Sequence, residues 1–149
     1  MSERLRSFDR SLPMSLLRAR EAVMKKFMPA LKAHNLSAQQ WRVIRALEAA
    51  GDLDISELSE ACYLLMPSLS RIIQNLESRG IVLRKSSSSD QRRSLISLTE
   101  AGRDIFIEIA PKSSERYEFI SERFGPGKLE LLYELLEELV EKIEEGEAS

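Results

Sequence analysis

Between Met66 and Gly80 the sequence writes one helix with little room for another reading. Leu69, Ile72, Ile73 and Leu76 recur at i, i+3, i+4 and i+7, a single apolar stripe. Pro67 suits the first turn, where a missing N–H has no intrahelical partner to lose. Arg79-Gly80 supplies the residue that most readily closes a helix in a left-handed conformation. Just upstream, a capping pattern over Ser56-Glu-Leu-Ser-Glu60 opens a shorter helix whose buried side is Leu58, Ala61, Cys62 and Leu65, and Met66-Pro67 ends it. Downstream, Ile81-Val-Leu83 is β-branched and apolar, Arg84 to Arg93 is polar and turn-like, and Ser94 to Leu98 resumes a strand pattern. The order is two short helices, a sharp turn between them, then a two-stranded hairpin with a long tip.

Longer helices flank this centre. Ser11-Leu12-Pro13 starts the first, and Leu16, Leu17, Val23, Met24, Phe27, Met28 and Leu31 carry it to about Ala33, with Pro29 expected to kink or interrupt it. Ser37-Ala-Gln-Gln40 reads as a capping box for a second helix, with Trp41, Ile44 and Leu47 inward and Gly51 at its end. Thr99 and Glu100 open a fifth helix with Ile105, Phe106, Ile109, Tyr117, Ile120 and Phe124 on its buried side and a bend expected at Pro111. Gly125-Pro126-Gly127 breaks the chain before Leu129, Leu132, Leu136, Leu139 and Ile143, a near-heptad widened by Tyr133 and Val140, which needs a partner to bury it. The expected fold is mainly α with a small β-hairpin wing (α+β), six helices in one domain.

The length of 149 residues, with six glycines and five prolines, suits one folding unit with no long linker. No apolar stretch reaches the roughly 20 residues that span a bilayer, and Met1 to Arg10 lacks the apolar run of a secretory signal, so a cytoplasmic protein with no membrane association is expected. Cys62 is the only cysteine and His34 the only histidine. That excludes an internal disulfide and argues against a Cys/His metal site. On its apolar helical face Cys62 reads as a small core residue rather than a redox sensor. Without a phosphate-cradling glycine loop, metal-ligand spacing or a nucleophile–base pair, no enzyme and no cofactor is expected.

A net charge of −2 is low for a nucleic-acid binder, but its distribution matters more than its sum. The last helix carries Glu130, Glu134, Glu137, Glu138, Glu141, Glu144, Glu145 and Glu147 and repels phosphate. The middle of the chain is basic, with Arg71, Arg79, Arg84, Lys85, Arg92 and Arg93. Opposite the apolar stripe of the fourth helix lie Pro67, Ser70, Arg71, Gln74 and Ser78, with Ser68 and Asn75 at its margins. Arginine pairs bidentately with guanine, glutamine or asparagine with adenine, and serine with phosphate or either base. In the hairpin, Arg84, Arg92 and Arg93 beside Asp90 and the run Ser86 to Ser89 offer a cation for a narrow minor groove, with Asp90 positioning an arginine. A solvated helix face and an exposed charged turn are the plain alternatives. Read together, the elements are those of a winged helix-turn-helix whose second short helix enters the major groove.

Three segments carry a resemblance. Gly80-Ile-Val-Leu-Arg84, Asp90-Gln-Arg92 and Leu98-Thr-Glu-Ala-Gly102 resemble the wing signature of the MarR family. The resemblance covers almost the whole chain and implies a homodimer joined through its terminal helices that binds double-stranded, palindromic operator DNA with one reader helix per half-site. On this division residues 37–98 form the DNA-binding part, and 10–34 with 99–146 the dimerisation part. Ser15 to Glu21, His34 to Arg42 and Met66 to Leu69 resemble the homoprotocatechuate-degradation repressor branch, which implies a repressor released by a small phenolic acid.

For that effector the candidate ligand residues are Arg20 for a carboxylate, Trp41 or Phe106 over the ring, and Met14, Leu17 and His34. Each keeps a plainer reading: Trp41 as core, Arg20 on a solvated or intersubunit face, His34 complementing a helix dipole. The peroxide-sensing members carry a cysteine near the start of the first helix, whereas Met1 to Leu36 has none. A regulator with a different effector and a winged-helix protein-interaction module are the competing functions.

Overall fold

The computed structural model describes residues 5–87 and 93–147. After a 3-10 turn at Phe8–Arg10 come α1 (Leu12–Ala33), α2 (Ala38–Ala50), β1 (Leu53–Asp54), α3 (Ile55–Cys62), α4 (Met66–Ser78), β2 (Val82–Ser86), β3 (Ser94–Leu98), α5 (Glu100–Phe124) and α6 (Pro126–Glu147).

Local chemistry sets most of these boundaries. Ser11 caps α1 by accepting from the Met14 amide, with proline in the first turn. At α2 the capping box is reciprocal: Ser37 Oγ accepts from the Gln40 amide at 3.0 Å, and Gln40 Oε1 accepts from the Ser37 amide at 2.9 Å. Gly80, at φ +74°, takes the left-handed position after α4. Several sequence expectations are corrected. Ala61 and Leu65, expected on the buried side of the third helix, are exposed, and Leu65 lies beyond the end of α3. The cap of α3 is Asp54 with Glu57, not Ser56. Helix α1 runs through Pro29 without a break, with Phe27 and Leu31 on either side buried. The hairpin is completed by β1 into a three-stranded antiparallel sheet of order β1-β3-β2, with Leu53 opposite Ile96 and Arg84 opposite Ile96 on its other edge. Two residues are too few to show a strand period, so β1 has no sequence signature.

The structure divides into two compact units, Met1–Ser113 and Ser114–Ser149. The core of the first is one cluster that includes Leu31, Val43, Ile44, Leu58, Leu69, Ile73, Leu76, Ile96 and Ile109. Each such side chain contributes about 1.5–3 kcal/mol on burial. The stripe of α4 is therefore spent on the core, and this turns the helix's polar side outward. Cys62 is buried in the same cluster, and burial raises its thiol pKa, in keeping with a core role.

The L-T-x-x-G segment has a packing explanation. Thr99 Oγ1 accepts from the Gly102 amide at 3.0 Å and lies 2.6 Å from the Gly80 carbonyl. A Cβ on Gly102 would stand 2.3 Å from the Ile81 carbonyl oxygen and 2.9 Å from Leu98 Cδ2. Only glycine lets the start of α5 lie against the base of the hairpin.

In the second unit Gly125, at φ +109°, is the single residue between α5 and α6. No residue of α6 is buried, and Leu131, Leu132, Tyr133, Leu135, Leu136, Val140 and Ile143 are all exposed. Tyr117 and Phe124, expected on the buried side of α5, are exposed as well.

Candidate nucleic-acid interface

The outward side of α4 is built by default. With Leu69, Ile73 and Leu76 fully buried, the helical period leaves Pro67, Ser68, Arg71, Gln74, Asn75 and Ser78 exposed and Ser70 half-buried. Among the described residues, the side chains of Ser68, Ser70, Arg71 and Gln74 have no hydrogen-bond or ion-pair partner. Their donors and acceptors are open to a base edge or a phosphate. Ser78 instead donates to the Asn75 carbonyl at 2.8 Å.

Asn75 is different. Its Oδ1 accepts from Gln40 Nε2 at 2.9 Å and from Arg79 Nη1 at 3.4 Å, while Arg79 Nη2 donates to the His34 carbonyl at 3.2 Å. Bidentate reading of adenine needs that oxygen. The structure uses it to tie the last turn of α4 to the start of α2 and the end of α1.

The wing is held at its base by carboxylates. Arg93 Nε donates to Asp54 Oδ2 at 2.9 Å and Nη2 to Glu57 Oε1 at 2.5 Å, which joins the start of β3 to the first turn of α3. Lys85 meets Asp52 at 2.6 Å, and Ser97 donates to the same carboxylate. Arg84 reaches Glu77 at 3.4 Å. These contacts set the charges. The Asp52 carboxyl falls below the ordinary aspartate range, chiefly through Lys85 and then Ser97. Asp54 is lowered by the Glu57 amide first and Arg93 second, and Arg93 is raised in turn by Asp54 and Glu57. Arg93, a candidate minor-groove cation from sequence, therefore has two carboxylate partners. Asp90 and Arg92 lie outside the described residues. Sequence reasoning missed this brace, although Asp54-x-x-Glu57 is a legible capping box.

Of the six ligand candidates, the structure brings two together: Trp41, buried, and Phe106, half-buried, stack with ring centroids 5.7 Å apart and planes at 19°. His34, at the end of α1, is tied to α5 through Glu108. Its Nε2 lies 2.8 Å from Glu108 Oε2 and its Nδ1 3.1 Å from the Ala30 carbonyl, so both ring nitrogens face protein acceptors. Arg20 is exposed and pairs with its neighbour Glu21 at 3.4 Å. Met14 is half-buried and Leu17 exposed, both on the first half of α1, and neither joins the core that Met24, Phe27, Met28 and Leu31 enter farther along.

Residues 34–93 match the MarR family. The chain is 43% identical over 136 residues to the HTH-type transcriptional regulator FarR of Neisseria gonorrhoeae, covering 91% of this chain and 92% of the relative. It is 39% identical over 130 residues to the homoprotocatechuate degradative operon repressor of Escherichia coli, covering 87% and 88% respectively. The structure of NadR in complex with 4-hydroxyphenylacetate superposes with a TM-score of 0.78 at 41% identity, over 92% of this chain and 97% of that one. With a winged helix-turn-helix that opens a polar helix face to solvent, and relatives over nearly its full length that are named as regulators rather than enzymes, this chain belongs to the MarR family of DNA-binding transcriptional regulators.

Proposed function

We propose that the chain is a homodimeric repressor that binds palindromic operator DNA and leaves it when a small phenolic acid of the hydroxyphenylacetate class binds. The observation that carries the DNA reading is the unpartnered row Ser68, Arg71 and Gln74 on α4, held outward by a stripe wholly committed to the core. Residues 37–98 present α4 to the major groove and the wing to the flanking minor groove. Residues 10–34 and 99–146 join two copies, which places reader helices about 34–36 Å apart. The exposed leucines of α6 and of the first half of α1 support this assembly. No helix among the described residues is long and apolar enough to cross a membrane, which fits a regulator working on DNA in the cytoplasm.

For the effector, the Trp41–Phe106 stack offers an aromatic wall and Arg20 a cation for the carboxylate. The names of the homoprotocatechuate repressor and of the NadR complex support the chemical class. Release requires that the phenolic acid bind two reader-helix spacings unequally.

The test is fluorescence-anisotropy binding to the DNA upstream of the protein's own gene at several salt concentrations, with and without 4-hydroxyphenylacetate and its 3,4-dihydroxy analogue. Steep salt dependence, sequence preference and weakening by the acid are the expected result. Specific binding that no aromatic acid alters removes the effector class. Absence of specific binding transfers the winged helix to a protein-interaction role.

A further inference from the structure

The turn between α3 and α4 exposes two large apolar side chains at the threshold of the reader helix. Tyr63 is 83% exposed and Leu65 79%, with Met66, the first residue of α4, also exposed. Between them Leu64 is buried, pinned by the Ser59 hydroxyl, which donates to its carbonyl at 2.6 Å, and by its own amide, which donates to the Ser59 carbonyl at 3.2 Å. With Leu64 fixed inward, its two neighbours are thrown outward in one defined arrangement.

Tyr63 also holds a left-handed backbone at φ 53°, ψ 48°. Among the described residues the only other non-glycine with positive φ is Asn35, a type that tolerates it. An aromatic ring in water on a backbone better suited to glycine points to a use for the ring. Ser59, Glu60, Tyr63, Leu64 and Leu65 line a surface hollow of about 430 Å3 here. The Glu60 carboxylate on its rim repels phosphate, so the hollow does not suit the DNA backbone.

We propose that Leu65 and Met66, flanked by Tyr63, read thymine C5-methyl groups in the major groove of the operator half-site. The proposal rests on α4 being the reader helix. The amino-terminal residues of a recognition helix are those that meet base edges, and Leu65 and Met66 stand at that end. The thymine methyl is the apolar group that the major groove presents, and it matches an aliphatic patch that can form no hydrogen bond. Ser68 and Arg71 follow within the next two turns of the same helix, so apolar and polar contacts would both come from the amino-terminal half of α4.

The experiment selects a binding duplex from random-sequence DNA with the wild-type protein, then replaces its thymines one at a time by deoxyuridine, which removes only the methyl. Wild type loses affinity about three- to fivefold at one or more positions. Leu65→Ala loses affinity for the parent duplex and is indifferent to deoxyuridine at those positions. Tyr63→Gly, which suits the backbone, folds normally and binds the parent duplex more weakly. Wild-type indifference to every deoxyuridine, or full retention of the effect in Leu65→Ala, overturns the proposal. Arg71→Ala, run in parallel, separates the two ideas: if it relaxes base preference while Leu65→Ala changes nothing, α4 remains the reader and only the methyl contact is lost. If neither matters, the reader assignment falls as well.

Discussion

Helices α4 and α6 carry nearly the same kind of pattern and meet opposite fates. In α4 the stripe Leu69, Ile73 and Leu76 is completely buried within its own chain. In α6 the row Leu132, Leu136, Val140 and Ile143 remains exposed along the helix, interleaved with glutamates. Periodicity says that a helix face must be covered; it does not say by what. The other face of each helix supplies the difference. Behind the stripe of α4 are serines, an arginine and a glutamine, the side chains that suit DNA, whereas α6 presents carboxylates that DNA rejects. One helix is held by its own chain to offer a polar surface, and the other leaves an apolar surface uncovered, which the proposed dimer assigns to a second copy.

The sharpest way to break this contrast is one substitution in each stripe. Ile73→Ala removes a fully buried side chain and costs about 2–5 kcal/mol of stability whatever the protein concentration. Leu136→Glu, at a position already 36% exposed in the single chain, leaves the helical signal intact and converts dimer to monomer in sedimentation. It weakens operator binding through loss of the second half-site. If Leu136→Glu stayed dimeric at every concentration, α6 would not be the covering surface. Gly102→Ala extends the comparison to the joint between hairpin and α5. The new methyl meets a backbone carbonyl that cannot swing aside, and the thermal midpoint falls by an amount equivalent to about 1–3 kcal/mol.

On the polar side the contrast is between two arginines. Arg71 has no partner among the described residues, whereas Arg93 has two carboxylates. Arg71→Ala costs about 1–3 kcal/mol in discrimination against wrong bases. Arg93→Ala lowers affinity for all sequences alike, because it loosens the wing rather than removing a base contact. Equal specificity ratios for wild type and Arg71→Ala in competition binding would remove Arg71 from the reading face.

Much of this was legible in the sequence, and the gaps have physical causes. The capping box at Ser37, the start at Pro67 and the stop at Gly80 are local effects, and each lies where the sequence puts it. Strand β1 escaped because its pairing with β3 spans more than forty residues of chain and two residues carry no period. The brace of Arg93 on Asp54 and Glu57 is equally non-local, so a wing arginine looked free. Tyr117 and Phe124 went the other way. Their spacing asks for burial, and nothing in a spacing tells the chain's own core from a second copy. Trp41 and Phe106 were each candidates on their own merits, and the fold stacks them.

The smallest expected effect separates charge from capping at the wing base. Asp54 both caps α3 and holds Arg93, and its pKa lies below the ordinary aspartate value of 3.8. A carboxyl whose folded-state pKa is depressed contributes stability that is fully present above its unfolded value and is lost as pH falls through the folded one. Asp52, lowered chiefly by Lys85, works in the same direction. Asn is as good a helix cap as Asp, so Asp54→Asn keeps the cap and removes only the charge. The variant should melt slightly below wild type at neutral pH, and the gap should hold down to the ordinary aspartate value and narrow only as the buffer is taken below it, through the lower folded-state pKa. Thermal melts across that series measure the gap directly. A difference that stays constant with pH would mean that Asp54 acts through its hydrogen bond to the Glu57 amide alone, and that Arg93 is not held at the wing base by charge.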